Sequence, residues 1–286
     1  MYAALMDEVG AVEQILEQLP GHRRDHILNC RTFPKRTFGY ISLPPSLRMS
    51  ALHIAMLVSS TEIVTMLLDS GANPYILNKT GENPFVWACA SGRIDNMEVW
   101  MKRFPSHDLH HRNKVTGGFT LSTAVFAYPN SLKTFEFLLR HGAKPNLRLL
   151  MGLSVLQAAA SNNDVDLRVV KKILEETSED VNYRIAPLNS KWKFLYSICN
   201  RMYRWGLMSN AFTEFFAPLP GATCLHLAVA QGDVDFIEIL LNHGANPLIC
   251  DGLGRTAFDL LNIYGPFPKI FGLMQRASSF YGGGES

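Results

Sequence analysis

The chain has 286 residues, 47% of them hydrophobic and 18% charged, with 27 Lys and Arg against 25 Asp and Glu. That apolar share supplies a packed core and excludes a disordered chain. A net charge of +2 excludes a basic coat spread over the whole surface for nucleic acid or membrane.

In chain order, the opening Met1-Tyr2-Ala3-Ala4-Leu5-Met6-Asp7-Glu8 has neither the basic region nor the apolar run of a signal peptide. No stretch approaches the ~20 consecutive apolar residues of a membrane span, so cytoplasm or nucleus is the expected compartment. The cysteines, Cys30, Cys89, Cys199, Cys224 and Cys250, are scattered, odd in number and without a Cys-x-x-Cys pair. They are expected as reduced thiols.

From Ser50 onward a pattern recurs. Ser50-Ala51-Leu52-His53-Ile54-Ala55 returns as Thr223-Cys224-Leu225-His226-Leu227-Ala228, with weaker copies beginning at Asn83, Thr120, Ser154 and Thr256. Successive starts are 33, 37, 34, 69 and 33 residues apart. A second signature follows in phase: Leu67-Leu68-Asp69-Ser70-Gly71-Ala72-Asn73-Pro74, then Leu138 to Asn146, then Leu240 to Pro247. Ser50, Thr120, Ser154, Thr223 and Thr256 suit N-caps, whose side chains accept from the first unpaired N–H groups of a helix. Ala55, Ala88, Ala124, Ala158 and Ala228 let a second helix approach closely. Ile63, Met66, Leu67 and Phe236, Ile239, Leu240 place an apolar stripe at helical spacing. Gly71, Gly142 and Gly244 stand where a helix ends in a left-handed residue.

A period near 33 residues carrying a Thr-Pro-Leu-His-x-Ala-like marker resembles the ankyrin repeat family. The resemblance implies an all-α fold in which each unit is two antiparallel helices with a short β-hairpin finger. Units stack into a solenoid, here of about five to seven including degenerate caps. It also implies a non-enzymatic module or adaptor, without cofactor or small-molecule substrate, that binds another protein along its concave side. Carried over, the finger-tip positions include Lys79, Thr80 and Glu82; Leu150, Met151 and Leu153; and Leu253 and Arg255. First-helix ends add Ala90, Ser91, Ala127, Tyr128, Ser161, Asn162, Ala230 and Gln231. Leu150, Met151, Leu153, Leu253 and Tyr128 are expected to stand exposed as apolar anchors.

The expected organisation is a truncated or capping repeat over 1–30, a basic extended finger over 31–48 and repeats over 49–184. A helical insertion follows over 185–220, then C-terminal repeats over 221–276 and a flexible tail over 277–286. The 69-residue spacing also admits a diverged repeat over 185–220. The lack of a helix-opening tetrapeptide there favours an insertion, with Leu195, Ile198, Cys199 and Met202 lining one helix face.

His53 and His226 read as structural, tying adjacent loops as the family's tetrapeptide histidine does. His107, His110 and His111 read as finger decoration and not as a metal site, because no second ligand cluster accompanies them. No phosphate-binding Gly-rich loop, His-Glu-x-x-His or Gly-x-Ser-x-Gly occurs. Charge gathers in the departures from the repeat: 31–48 sums to +4, 187–216 to +3 and the remainder to −5. An acidic partner surface is therefore expected at Lys35 and Arg36, or at Lys193, Arg201 and Arg204. The alternatives are a regulatory segment of a larger protein, and an adaptor meeting nucleic acid or an anionic membrane through its basic insertions.

Overall fold

The computed structural model describes residues 2–19, 21–30, 47–127, 130–162, 164–176, 180–207, 210–264 and 267–281. Lys35, Arg36, Tyr128 and most of the expected basic finger lie outside the described residues. The chain divides into two compact units, residues 1–143 and 144–286.

In the first unit the helices are α1 (Tyr2–Leu5), α2 (Val9–Gln18), α3 (Gly21–Leu28), α4 (Ala51–Val58), α5 (Thr61–Asp69), α6 (Pro84–Ser91), α7 (Ile94–Arg103), α8 (Thr120–Ala124) and α9 (Ser131–Arg140). The first helices of each pair, α1, α4, α6 and α8, pack in series, with α2, α5, α7 and α9 packed in series behind them. One pair cannot cover its own apolar stripe; its neighbours do. Leu52, Ile63, Phe85, Met97 and Phe135 are consequently fully buried. Ala3 and Ala4 of α1 are buried as well, and the Ala4 carbonyl accepts from Ser59 Oγ of the next repeat.

The second unit repeats the plan with α10 (Val155–Ala160), α11 (Leu167–Glu176), α14 (Cys224–Gln231), α15 (Val234–Asn242), α16 (Ala257–Tyr264) and α17 (Pro268–Ser278). Helices α10, α14 and α16 pack in one series and α11, α15 and α17 in the other. Between α11 and α14 two further helices, α12 (Ser190–Arg204) and α13 (Ala211–Phe216), pack on each other. They leave and rejoin the repeat through a closed neck, where Ile185 N–H donates to the Ala222 carbonyl and Gly221 N–H to the Ile185 carbonyl, each at 2.9 Å. Residues 186–220 thus sit between the arms of one finger.

Helix starts follow the capping logic. Ser50, Ser154 and Asn83 side chains accept from the N–H three residues on. Thr120 departs from expectation. The helix-opening residue is Phe119, whose N–H donates to Ser122 Oγ at 2.9 Å, and Thr120 Oγ1 donates instead to the Leu109 carbonyl. No strand is present among the described residues; the fingers are tight turns.

Candidate functional site

The finger tips are built by a five-residue turn closed on itself. In the first unit Asn78 N–H donates to the Glu82 carbonyl, and Asn78 Oδ1 accepts from Glu82 N–H, both at 2.9 Å. Thr80 Oγ1 donates to Asn78 Oδ1 and Glu82 Oε2 at 2.8 and 2.9 Å. Thr80 and Glu82, expected to meet a partner, therefore spend their polar atoms inside the turn, while Lys79 is exposed. In the second unit Asp251 and Arg255 repeat the turn and close it with an ion pair at 2.8 Å.

Three fingers are tied to the first helix of the preceding repeat by the residue three after the helix-opening position, His53, Gln157 and His226; Val86 and Ser122, at the same place after Asn83 and Phe119, make no such tie among the described residues. His53 Nδ1 accepts from Ser50 N–H, and its Nε2 lies 3.1 Å from the Glu82 carbonyl. His226 Nδ1 accepts from Thr223 N–H, with Nε2 at 3.1 Å from the Arg255 carbonyl. Accepting at Nδ1 while bonding a carbonyl at Nε2 fits the neutral, Nε2-protonated ring. Burial keeps the His226 pKa below its ordinary value, which keeps the ring neutral. Gln157 does the same work, accepting from Ser154 N–H and donating to the Tyr183 carbonyl at 2.9 Å.

The apolar tips are not open. Met151 and Leu153 are buried, and Leu150 and Leu253 are half-buried. The inserted segment covers the first tip: Leu188 N–H donates to the Leu150 carbonyl, and the Tyr196 hydroxyl donates to the Met151 carbonyl at 2.9 Å. Gly152 lies so close to this segment that an added Cβ would stand 2.4 Å from the Ala186 backbone. Gly252 would meet the Pro220 carbonyl at 2.5 Å. Ala127, placed at a first-helix end by analogy, is likewise buried.

Two histidine and helix-face expectations also change. His107 is core and not finger decoration: its ring centre lies 4.8 Å from that of Phe85 and 5.5 Å from that of Trp100. Neither of its ring nitrogens has a hydrogen-bond partner among the described residues, and burial pushes its pKa down to about 4. His111 bonds the Gly81 carbonyl and His110 lies near Asp108, so the three rings make separate contacts. On α12 the buried side is Tyr196 and Cys199, whereas Ile198 is exposed. Lys193, Arg201 and Arg204 line an open depression with Pro187, Pro220 and Gly252, where the Arg204 guanidinium donates to the Gly252 carbonyl.

What the second unit does bring together is a cleft of about 250 Å3. The first-helix ends meet in it: Ala160 and Ser161 at the end of α10, Ala230 and Gln231 of α14, and Tyr264 of α16. The inserted α13 forms the facing wall with Glu214 and Phe215, and Leu227 and Leu260 line it further. His226 and the Asp251–Arg255 pair line it too, already bonded. Sequence reasoning named Ser161, Ala230 and Gln231 and missed Phe215 and Tyr264. The aromatic residues at Phe212, Phe215, Phe216 and Tyr264 were the available signal. Phe215 and Tyr264 are about half exposed (49% and 51%), so the cleft offers apolar surface beside backbone and amide groups.

An ankyrin repeat model matches residues 48–79, and a model of three consecutive ankyrin repeats matches residues 121–251. Together they cover more than half of the chain. The chain is 28% identical over 226 residues to the E3 ubiquitin-protein ligase KEG of Arabidopsis thaliana; the match takes in 73% of this chain and 13% of that protein's length. In fold it is similar to the crystal structure of the ankyrin repeat domain of Bcl-3, described as a unique member of the IkappaB protein family. That likeness has a TM-score of 0.59, 19% identity and 96% coverage of both chains. The chain belongs to the ankyrin repeat family.

Proposed function

We propose that the protein is a non-enzymatic interaction module that holds a partner protein's segment in the cleft of its second unit, with an apolar side chain seated between Phe215 and Tyr264. The observation that carries this reading is the convergence of three first-helix ends and the inserted α13 on one concavity. Apolar anchors in such a concavity supply most of the energy of an interface. Of its titratable groups, His226 is committed to two loops and Asp251 to Arg255, which suits the cleft to contact. Glu214 adds one further carboxylate, and Phe215, Leu227, Leu260 and Tyr264 give a partner's apolar anchor its surface. The acidic character expected of a partner belongs to whatever meets α12.

Cytoplasm or nucleus is the compartment this reading calls for; no helix among the described residues is long and apolar enough to cross a membrane. A second reading, a recruiting segment within a larger protein, is favoured by the relative, in which the matching part is 13% of a ligase.

The test is capture of bound proteins from the native cell by wild type and by Ala230→Arg. Ala230 is exposed at the cleft, and a long cation there fills it without touching the core. A partner that binds wild type and is lost for Ala230→Arg, with at least tenfold weaker affinity when purified, supports the reading. Partners retained by the variant at full affinity would reject it.

A further inference from the structure

We infer that the outward face of α12 docks on an anionic phospholipid bilayer. Phe194, Ile198, Arg201 and Trp205 recur at spacings of four, three and four, which puts them on one helical stripe. That stripe lies opposite the side carrying Tyr196 and Cys199, which face the protein. Phe194 is 68% exposed and Trp205 67%, and Leu207, just beyond the helix, is 67% exposed. Surface hydrophobes scattered singly need no partner, whereas Phe194, Ile198, Trp205 and Leu207 are gathered on one side of a single helix and its end.

Charge decides which partner. From Ser190 to Arg204 the helix carries Lys191, Lys193, Arg201 and Arg204 and no carboxylate, and all four cations are exposed. A second copy of this chain docked face to face would set that cluster against its like, which is repulsive. An acidic polypeptide matches the charge and would meet the open depression that Lys193, Arg201, Arg204 and Trp205 line, but that depression has no place for Phe194 or Leu207. Those two protrude from the surface outside it. Protruding aromatic and aliphatic tips flanked by Lys and Arg are what a headgroup layer accommodates: the rings enter the acyl boundary while the cations stay among the phosphates. The Arg201 guanidinium lies 5.7 Å from the centre of the Trp205 ring, so a charge accompanies that ring to the interface.

The face is anchored from behind. The Tyr196 hydroxyl bonds the Met151 carbonyl, and the Asn200 amide donates to the Ala217 and Gly252 carbonyls at 3.1 and 2.8 Å. A bilayer therefore meets a preformed helix and need not fold one.

The experiment is co-sedimentation of the full chain with vesicles of phosphatidylcholine alone and of phosphatidylcholine mixed with phosphatidylserine. Soluble polyglutamate serves as a separate binding probe. Sedimentation with the mixed vesicles that falls as salt is added supports the inference. So does a loss of about fivefold in partition for each cation removed in Lys191→Gln and Lys193→Gln, and a further loss in Phe194→Ser with Trp205→Ser. Melting curves matching wild type establish that these exposed substitutions leave the fold intact. Failure to sediment with mixed vesicles overturns the inference, as does equal sedimentation with neutral ones or wild-type partition by the α12 variants. Binding to polyglutamate without binding to vesicles overturns it in favour of an acidic protein.

Discussion

The His107 imidazole sits against Phe85 and Trp100 with neither nitrogen bonded among the described residues, and desolvation lowers its pKa to about 4 from 6.5. The folded state therefore resists the proton that the unfolded chain takes up. Stability is full above pH 6.5, falls as the pH drops toward 4 and levels off below. The loss from this one group amounts to about 2 kcal/mol by pH 5. His107→Leu, close in volume and unable to ionise, should abolish that part of the acid sensitivity. Denaturant midpoints at pH 7 and pH 5 measure it; a variant as acid-sensitive as wild type would place the effect elsewhere. The cap residues were legible at Ser50, Ser154 and Thr223, since local capping chemistry leaves a local mark. At Thr120 the mark misled by one position: Ser122 Oγ bonds Phe119 N–H, so a residue with no capping atom opens the helix. His107 was misread because its neighbours, Phe85 and Trp100, are brought to it by packing and not by sequence proximity.

At the scale of elements, the insertion is held to the repeat by a few polar contacts that land on backbone carbonyls. Tyr196 is buried, its phenol pKa raised by that burial, and its hydroxyl bonds a carbonyl 45 residues away. Tyr196→Phe removes one hydrogen bond and should cost about 1 kcal/mol. Asn200→Ala takes a donor from the Ala217 carbonyl, whereas the Gly252 carbonyl keeps Arg204, and should cost about 1–3 kcal/mol. Because both mutations release the same helix, their combined effect should depart from the sum. A double-mutant cycle by chemical unfolding measures this; strict additivity would mean that the two anchors act on separate elements. An inserted helix was legible between the repeats, from composition and the missing tetrapeptide. Its buried face was legible in part. Of the expected Leu195, Ile198, Cys199 and Met202, Cys199 is buried and Leu195 and Met202 are half-buried, whereas Ile198 is exposed and Tyr196, whose hydroxyl has a carbonyl to meet, turns inward.

Over the whole molecule, two units are built from one supersecondary pair, which occurs among the described residues four times in 1–143 and three times in 144–286. The period was legible because each pair must bury its stripe on the next, so the same residue types return at the same interval. The cleft was legible only in part. Its helix ends belong to the repeat, but its facing wall is α13, which no repeat rule places, and the apolar tips that looked open are covered by the same insertion. The proposed function therefore depends on α13, which walls a concavity that the repeats' helix ends alone would leave wider. Hydrogen exchange on the full chain, alone and saturated with a protein that binds wild type but not Ala230→Arg, tests this most directly. The prediction is slowed exchange at residues 160–162, 211–219, 230–232 and 260–264. Protection confined to other segments, with these amides exchanging as in the unbound chain, would contradict it.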